Sequence, residues 1–208
     1  MFPRLQTALL LLSLSPSLVL GQNPDYTPVQ LVNNSSKADE QVFFIAKAVL
    51  PGDDGRDCFI AFNAQGIGDC IPVTDHILPS QYAYNFAQFK DKVLQIPYLN
   101  SGRLYISLGY PVVLYTTTDA DGIIKIVSPD GFKSSDPNFY TLHDKIEFSY
   151  AELNGFFINP TAVDFFSLPL QISNPKATGE LKASGFSDTH DNIFAHIRTT
   201  RTELDKTQ

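Results

Sequence analysis

The stretch KIEFSYAE, residues 145–152, alternates without a break: Ile146, Phe148 and Tyr150 fall on one side of an extended chain, and Glu147, Ser149 and Ala151 fall on the other. A period of two is what a half-buried β-strand requires, because one side covers a core while the other meets water. The same pattern sets a carboxylate, Glu147, between two apolar residues. Outward from this strand, short runs rich in β-branched and aromatic residues recur at 42–50, 58–63, 92–96, 103–108, 112–117 and 123–127, separated by Gly, Pro, Asn or Asp. The turn Thr118-Asp119-Ala120-Asp121-Gly122 between the last two runs predicts a hairpin. Downstream, Phe156 to Ile158 predicts a short strand, Asn159-Pro160 the N-cap and first position of a helical turn through Val163, and 168–172 another strand. Only the C-terminus predicts a helix, where Ser187 can cap a segment in which Ile193, Phe194 and Ile197 recur at helical spacing. The fold class expected is mostly β, a sandwich or barrel with a small C-terminal helical part.

Composition narrows the function. Among 208 residues only 18% are charged, with 14 Pro and 12 Gly, which argues against a coiled coil, a helical bundle or a disordered chain. A net charge of -7, with no cluster of Lys and Arg, makes nucleic acid an unexpected partner. Residues 1–21 read as a signal peptide: Arg4 is the positive start, Ala8 to Leu14 the apolar stretch, Pro16 a breaker, and Val19 and Gly21 precede a cut before Gln22. The apolar run is shorter than the ~20 residues of a membrane span, so a secreted product with no membrane association after signal removal is expected. Residues 22–40 read as a polar leader and 41–208 as the folded domain. Export favours joining Cys58 to Cys70 across a loop of about a dozen residues, with two free thiols as the alternative. Asn33 and Asn34 each open an N-x-S sequon.

The chemistry falls to carboxylates by elimination. The four His residues, at 76, 143, 190 and 196, are not spaced as a metal pair, and neither a Gly-x-Ser-x-Gly elbow nor a Gly-rich phosphate cradle is present. The Asp-Gly runs at 52–57 and 119–122 lack the ligand order of a calcium loop and read as turns. His143-Asp144 reads as a solvated pair. No metal and no organic cofactor are expected. Glu147 and Asp164 remain, both flanked by aromatic residues. Spacing alone leaves them open to a bland reading, a solvent-facing strand residue and a turn acid. It also fits glycosidic cleavage, which needs one carboxyl protonated to donate to the leaving oxygen and another ionised to activate water.

Residues 101–170 resemble the β-1,3-glucanases of glycoside hydrolase family 64, whose fold is related to thaumatin-like proteins. The matching pieces are Ser101 to Gly109, Ser135-Asp136-Pro137-Asn138, Ile146 to Tyr150, and Gly155 to Asp164 with its Gly-x-Phe-x-Asn-x-Thr-x-Val-Asp pattern. Ser187 to Phe194 resembles the segment opening the family's next helix. The resemblance implies that Glu147 is a general acid and Asp164 a general base, in a reaction that inverts the anomeric centre across a carboxyl gap of about 6.5–9.5 Å. It implies that Ser149, Asn159 and Thr161 hold sugar hydroxyls or water and that Phe157 meets the sugar ring, with β-1,3-glucan as the partner; a monomer is expected. The apolar surroundings of Phe148 would raise the acid's pKa. Tyr82, Tyr84, Tyr98, Tyr105 and Tyr110 are further stacking candidates or core aromatics. The sequence also departs from the family. A second, mixed α/β domain would only begin, from about residue 185, Ala151 stands where a polar residue is expected, and there is no Trp. The alternative is therefore a non-catalytic β-1,3-glucan-binding or thaumatin-like interaction protein derived from a truncated hydrolase. A disulfide-stapled structural or effector protein without sugar affinity is a third reading.

Overall fold

Period-two patterning is realised as fourteen strands among the described residues, which in this computed structural model are 10–13, 25–52, 55–74, 79–151, 155–163, 165–175 and 181–205. In chain order the strands are β1 (Leu10–Ser13), β2 (Tyr26–Asn33), β3 (Val42–Val49), β4 (Asp57–Phe62), β5 (Gly68–Pro72), β6 (Ala83–Asn85), β7 (Val93–Pro97), β8 (Leu99–Leu108), β9 (Tyr115–Thr118), β10 (Ile124–Val127), β11 (Leu142–Ala151), β12 (Gly155–Thr161), β13 (Leu170–Pro175) and β14 (Leu181–Gly185), followed by helix α1 (His190–Asp205). Among the described residues one sheet runs β14-β13-β1-β2-β7, a larger one β12-β11-β8-β3-β4-β5 with β6 also pairing β3, and β9 and β10 pair as a two-stranded sheet. The mostly β class with one C-terminal helix therefore holds. No described helix is long and apolar enough to cross a membrane.

The alternation puts the core between the sheets. Val29 and Leu31 of β2, Leu94 and Ile96 of β7 and Leu170 and Ile172 of β13 meet Phe44, Ile60, Leu104, Ile106, Ile146 and Phe148 from the larger sheet. Its central strands are covered on both faces: Ile45, Phe59 and Tyr105 point outward into a second cluster closed by Leu114 and Ile126. The β9–β10 hairpin forms this cover. Its turn is shaped by Asp119, whose Oδ1 accepts from the amides of Asp121 and Ile123 at 3.0 and 2.8 Å.

Several elements differ from the sequence expectation for local reasons. Asn159-Pro160-Thr161 is not a helical turn but the end of β12, paired with Glu147, Ile146 and Lys145. Strand β12 ends the path of its sheet, so Pro160, which lacks an N–H, sits where an edge can spare one. Within the stretch read as a polar leader, Tyr26–Asn33 is a strand whose Val29 and Leu31 are buried. Leu10–Ser13, inside the stretch read as a signal peptide, is placed between β2 and β13, and cleavage before Gln22 would take it out of that sheet. The helix begins later than Ser187, with the Thr189 hydroxyl accepting from the Asn192 amide at 3.2 Å. Of the two sequons, Asn33 has its amide nitrogen committed to the Lys37 carbonyl (2.8 Å) and the Asp39 carboxylate (2.9 Å), whereas Asn34 is exposed.

Cys58 and Cys70 are joined, 12 residues apart, across β4 and β5, with Cys58 fully buried in the main core. Because the closed loop restrains the unfolded chain, the double variant Cys58→Ser/Cys70→Ser should lose about 3 kcal/mol in chemical denaturation. A denaturation midpoint unchanged from wild type would contradict that assignment of stability.

Candidate active site

Strand register decides which polar residues can act together. Glu147 of β11 is the direct partner of Arg103 on β8 and of Asn159 on β12, and Arg103 is in turn the partner of Lys47 on β3. Ser149 faces Phe157, and Lys145 faces Thr161. Since all of these are an even number of residues apart, Glu147, Ser149, Phe157, Asn159 and Thr161 lie on one face of the larger sheet, the face turned away from the main core. Phe157 is 63% exposed there, Glu147, Ser149 and Asn159 are half-buried, and Thr161 is buried. Asp164, the expected general base, lies outside the described residues.

The neighbour of the Glu147 carboxyl is a cation. Arg103 Nε donates to Glu147 Oε1 at 3.1 Å. The expected apolar partner, Phe148, turns to the opposite face, where its ring rests on Gly102; a Cβ at Gly102 would come within 2.6 Å of that ring. Arg103 is itself fixed, Nη1 donating to Ser128 Oγ at 3.2 Å, and the same Ser128 oxygen accepts from the hydroxyl of buried Tyr105 at 2.9 Å. Burial pushes the Lys47 ammonium below its ordinary pKa, against the opposing pull of Asp57, and its Nζ donates to the Ile126 carbonyl at 2.8 Å. Just beyond Arg103 the β8 backbone bulges, with Ser101 at φ 45°, and the register slips toward both neighbouring strands. Bulges of this kind re-aim side chains beside functional sites.

His143 and Asp144 are not a solvated pair, since each is 3% exposed. Asp144 binds the chain that follows Asp164: Oδ2 accepts from the amides of Ser167 (3.1 Å) and Leu168 (3.3 Å), and Oδ1 from the Lys145 amide (2.9 Å). Burial raises the Asp144 carboxyl above its ordinary pKa even against these donors. Facing Phe165 at a ring separation of 5.1 Å, His143 bonds through Nδ1 to the Thr141 carbonyl (2.8 Å). The segment is thus held from two sides.

Exposed aromatics rim this end of the sheet on the loop between β10 and β11, Phe132 at 76% and Tyr140 at 90%. Asp136 organises the loop, accepting from the amides of Asp130 (3.0 Å) and Asn138 (2.7 Å) and from Asn138 Nδ2 (3.0 Å). Burial alone would raise the Asp136 carboxyl, but these donors outweigh it and hold it below the usual carboxylate range. A depressed carboxylate contributes stability that is present above its unfolded pKa, about 3.9, and lost as pH falls through the folded value. The stability gap between wild type and Asp136→Asn, followed by thermal melts against pH, should therefore be open at pH 6 and close below pH 4; a gap independent of pH would contradict this.

Four of the five tyrosine stacking candidates are used in packing. Tyr82 is stacked on Phe59 at 5.0 Å, Tyr84 lies against Phe44 at 5.4 Å, Tyr98 against Tyr150 at 4.5 Å, and Tyr105 is 2% exposed. Tyr110 alone of the five stays open, 76% exposed. Arg103, Lys47 and Ser128 belong to the site's surroundings without having been singled out from sequence, and Asp144 was read there only as solvated.

The larger sheet thus presents a strand-borne carboxylate among hydroxyl, amide and aromatic side chains. The family model described as beta-1,3-glucanase, glycoside hydrolase family 64, matches residues 25–207, and the chain belongs to that family. Among solved structures it is similar to a beta-1,3-glucanase domain from Clostridium beijerinckii, with TM-score 0.67, 21% identity, and coverage of 92% of this chain and 48% of that one. It is also similar to the laminaripentaose-producing beta-1,3-glucanase from Paenibacillus barengoltzii complexed with laminarihexaose, with TM-score 0.61, 20% identity, and coverage of 92% and 44%. The chain thus spans about half the length of these solved structures. Among curated proteins no sequence matches.

Proposed function

We propose that the protein is a secreted β-1,3-glucan hydrolase acting with inversion, in which Glu147 protonates the glycosidic oxygen while Asp164 takes a proton from the attacking water. The observation that carries this reading is the register that puts Glu147, Ser149, Phe157, Asn159 and Thr161 on one sheet face. A glucan chain lying over that face would have an exposed ring to stack on and amide and hydroxyl groups to bind its hydroxyls, with the carboxyl of Glu147 among them. As the bond from C1 to the leaving oxygen breaks, its electron pair goes to that oxygen, which takes the Glu147 proton. Water forms the new bond from the opposite side and releases its proton to Asp164. The acidic chain suits an uncharged polysaccharide, which offers positive charge no reward.

A second reading has an observation of its own. The chain spans about half of the solved structures it matches, and groove-wide binding energy is what normally distorts the sugar at the reacting centre. These 208 residues taken by themselves would then bind β-1,3-glucan without cleaving it. Incubating the purified chain with laminarin and following both reducing ends and binding separates the two. Release with the α-anomer first by NMR supports the inverting hydrolase, binding without release supports the module, and neither release nor binding refutes both.

A further inference from the structure

We propose that Arg103 is a positioning residue for proton donation, holding Glu147 by one carboxyl oxygen and stabilising the carboxylate left when the proton has gone; this rests on the general-acid reading of Glu147. Four observations converge on it. First, Arg103 and Glu147 are direct cross-strand partners, and the 3.1 Å contact runs from Nε to Oε1, so the guanidinium addresses one oxygen of the carboxyl. In the proposed step the other oxygen presents the proton to the leaving group.

Second, the guanidinium is not a loose surface cation. Nη1 donates to Ser128, whose hydroxyl oxygen also accepts from Tyr105, a side chain 2% exposed. Third, Lys47, the next cation in the row, is tied to the Ile126 carbonyl at 2.8 Å. Arg103 is the cation in contact with Glu147, and the like charge of Lys47 on its far side favours the guanidinium leaning toward the carboxyl. Fourth, the backbone itself commits Arg103 to this face. A one-residue slip of β8 would turn it into the main core, and the bulge at Ser101, locked by the Phe148 ring on Gly102, opposes that slip.

The chemical reason is charge timing. The neighbouring cation opposes protonation of Glu147 beforehand; once the proton is on the carboxyl and moves to the glycosidic oxygen, Glu147 goes from neutral to negative, and a donor already in place stabilises the charge that develops without reorganising. Partly exposed ion pairs add little to folding stability, so the contact's effect should fall on turnover rather than on the fold.

The test compares wild type, Arg103→Ala, Arg103→Lys and Glu147→Gln on laminarin, with melting temperatures for each. Arg103→Ala should lower kcat by about 10- to 100-fold, KM changing less than about 3-fold, with the melting temperature nearly kept. Adding guanidinium ion at tens of millimolar should restore part of the lost rate in Arg103→Ala and none in Glu147→Gln. Arg103→Lys should fall between, since an ammonium can meet the carboxyl but not Ser128 at the same time. Wild-type turnover in Arg103→Ala, beside an inactive Glu147→Gln, overturns the Arg103 proposal and leaves the hydrolase reading standing. A loss in Arg103→Ala that neither guanidinium nor the Lys variant repairs, with a matching drop in melting temperature, reduces the residue to a structural one and also overturns it. A wild-type chain that binds laminarin but releases nothing refutes the hydrolase reading, and the Arg103 assignment falls with it.

Discussion

Glu147→Gln should cut the release of reducing ends from laminarin by about a thousandfold, while its melting temperature stays within a few degrees of wild type. The loss is large because a glutamine amide cannot give a proton to the leaving oxygen, and general acid catalysis by a placed side chain contributes about 10²–10⁴ in rate. The structural cost is small because Glu147 is half-exposed on the outer sheet face, its side chain carrying one partly exposed ion pair to Arg103. Pairs of that kind contribute about 0–1 kcal/mol to folding. Glutamine can still accept from Arg103 Nε through its amide oxygen, so the sheet face keeps its shape. Laminarin binding by Phe157, Asn159 and Ser149 should persist, which makes the variant a dead enzyme rather than an unfolded one. Asp164→Asn should behave alike if water activation is the other half of the step. Steady-state kinetics paired with a binding isotherm decide the matter: a Glu147→Gln chain that still turns over at the wild-type rate removes Glu147 from the chemistry.

How much of this was legible in the amino-acid order depends on the range of the physics involved. The face carried by Glu147 and Ser149 could be read from residues 145–152 because side-chain direction in a strand is a local matter of alternation. The other half of the site was misread for the same local reason. Asn159-Pro160 has the signature of a helix start, yet pairing with β11 makes it an edge strand, and only that pairing brings Asn159 opposite Glu147. The expected apolar neighbour of the acid failed in an instructive way. Phe148 is adjacent in sequence but on the other side of the sheet, whereas Arg103, 44 positions away, is the group that touches the carboxyl. No single-chain pattern announces a cross-strand partner at that separation. The tyrosines show the limit of composition: nothing in the spacing distinguishes Tyr105, buried under the β9–β10 hairpin, from Tyr110, which stays open. His143-Asp144 looked solvated because charged neighbours in a strand usually are, and it is buried because the chain after Asp164 folds back over it.

That last contact carries the second large effect. Asp144→Ala should lower stability by about 2–4 kcal/mol and reduce turnover by about 10- to 100-fold even at temperatures where the variant is fully folded. The stability loss follows from the donors left behind. The amides of Ser167 and Leu168 lose their acceptor, and each buried group left unpaired costs about 1–3 kcal/mol. Part of this is offset, because burial already raises the Asp144 carboxyl above its ordinary pKa, so keeping it ionised at neutral pH is itself unfavourable. A carboxyl raised in this way contributes most to stability below its unfolded pKa, and that contribution fades as pH rises through the folded value. The gap between wild type and Asp144→Ala should therefore be wider at pH 4 than at pH 8, opposite in sense to the trend expected for Asp136→Asn. The turnover loss follows from position. Ser167 and Leu168 come three and four residues after Asp164, and releasing their amides frees the segment that, in the proposed mechanism, carries the base. A displacement of about 1 Å at a reacting group is enough to cost about a hundredfold. Asp144→Asn is the informative companion. One amide oxygen can replace Oδ2 toward Ser167 and Leu168, but the amide nitrogen then confronts the Lys145 N–H as donor against donor. It should recover part of the turnover and less of the stability. If Asp144→Ala, folded at the assay temperature, hydrolyses laminarin as fast as wild type, then the segment after Asp164 does not need this anchor for catalysis.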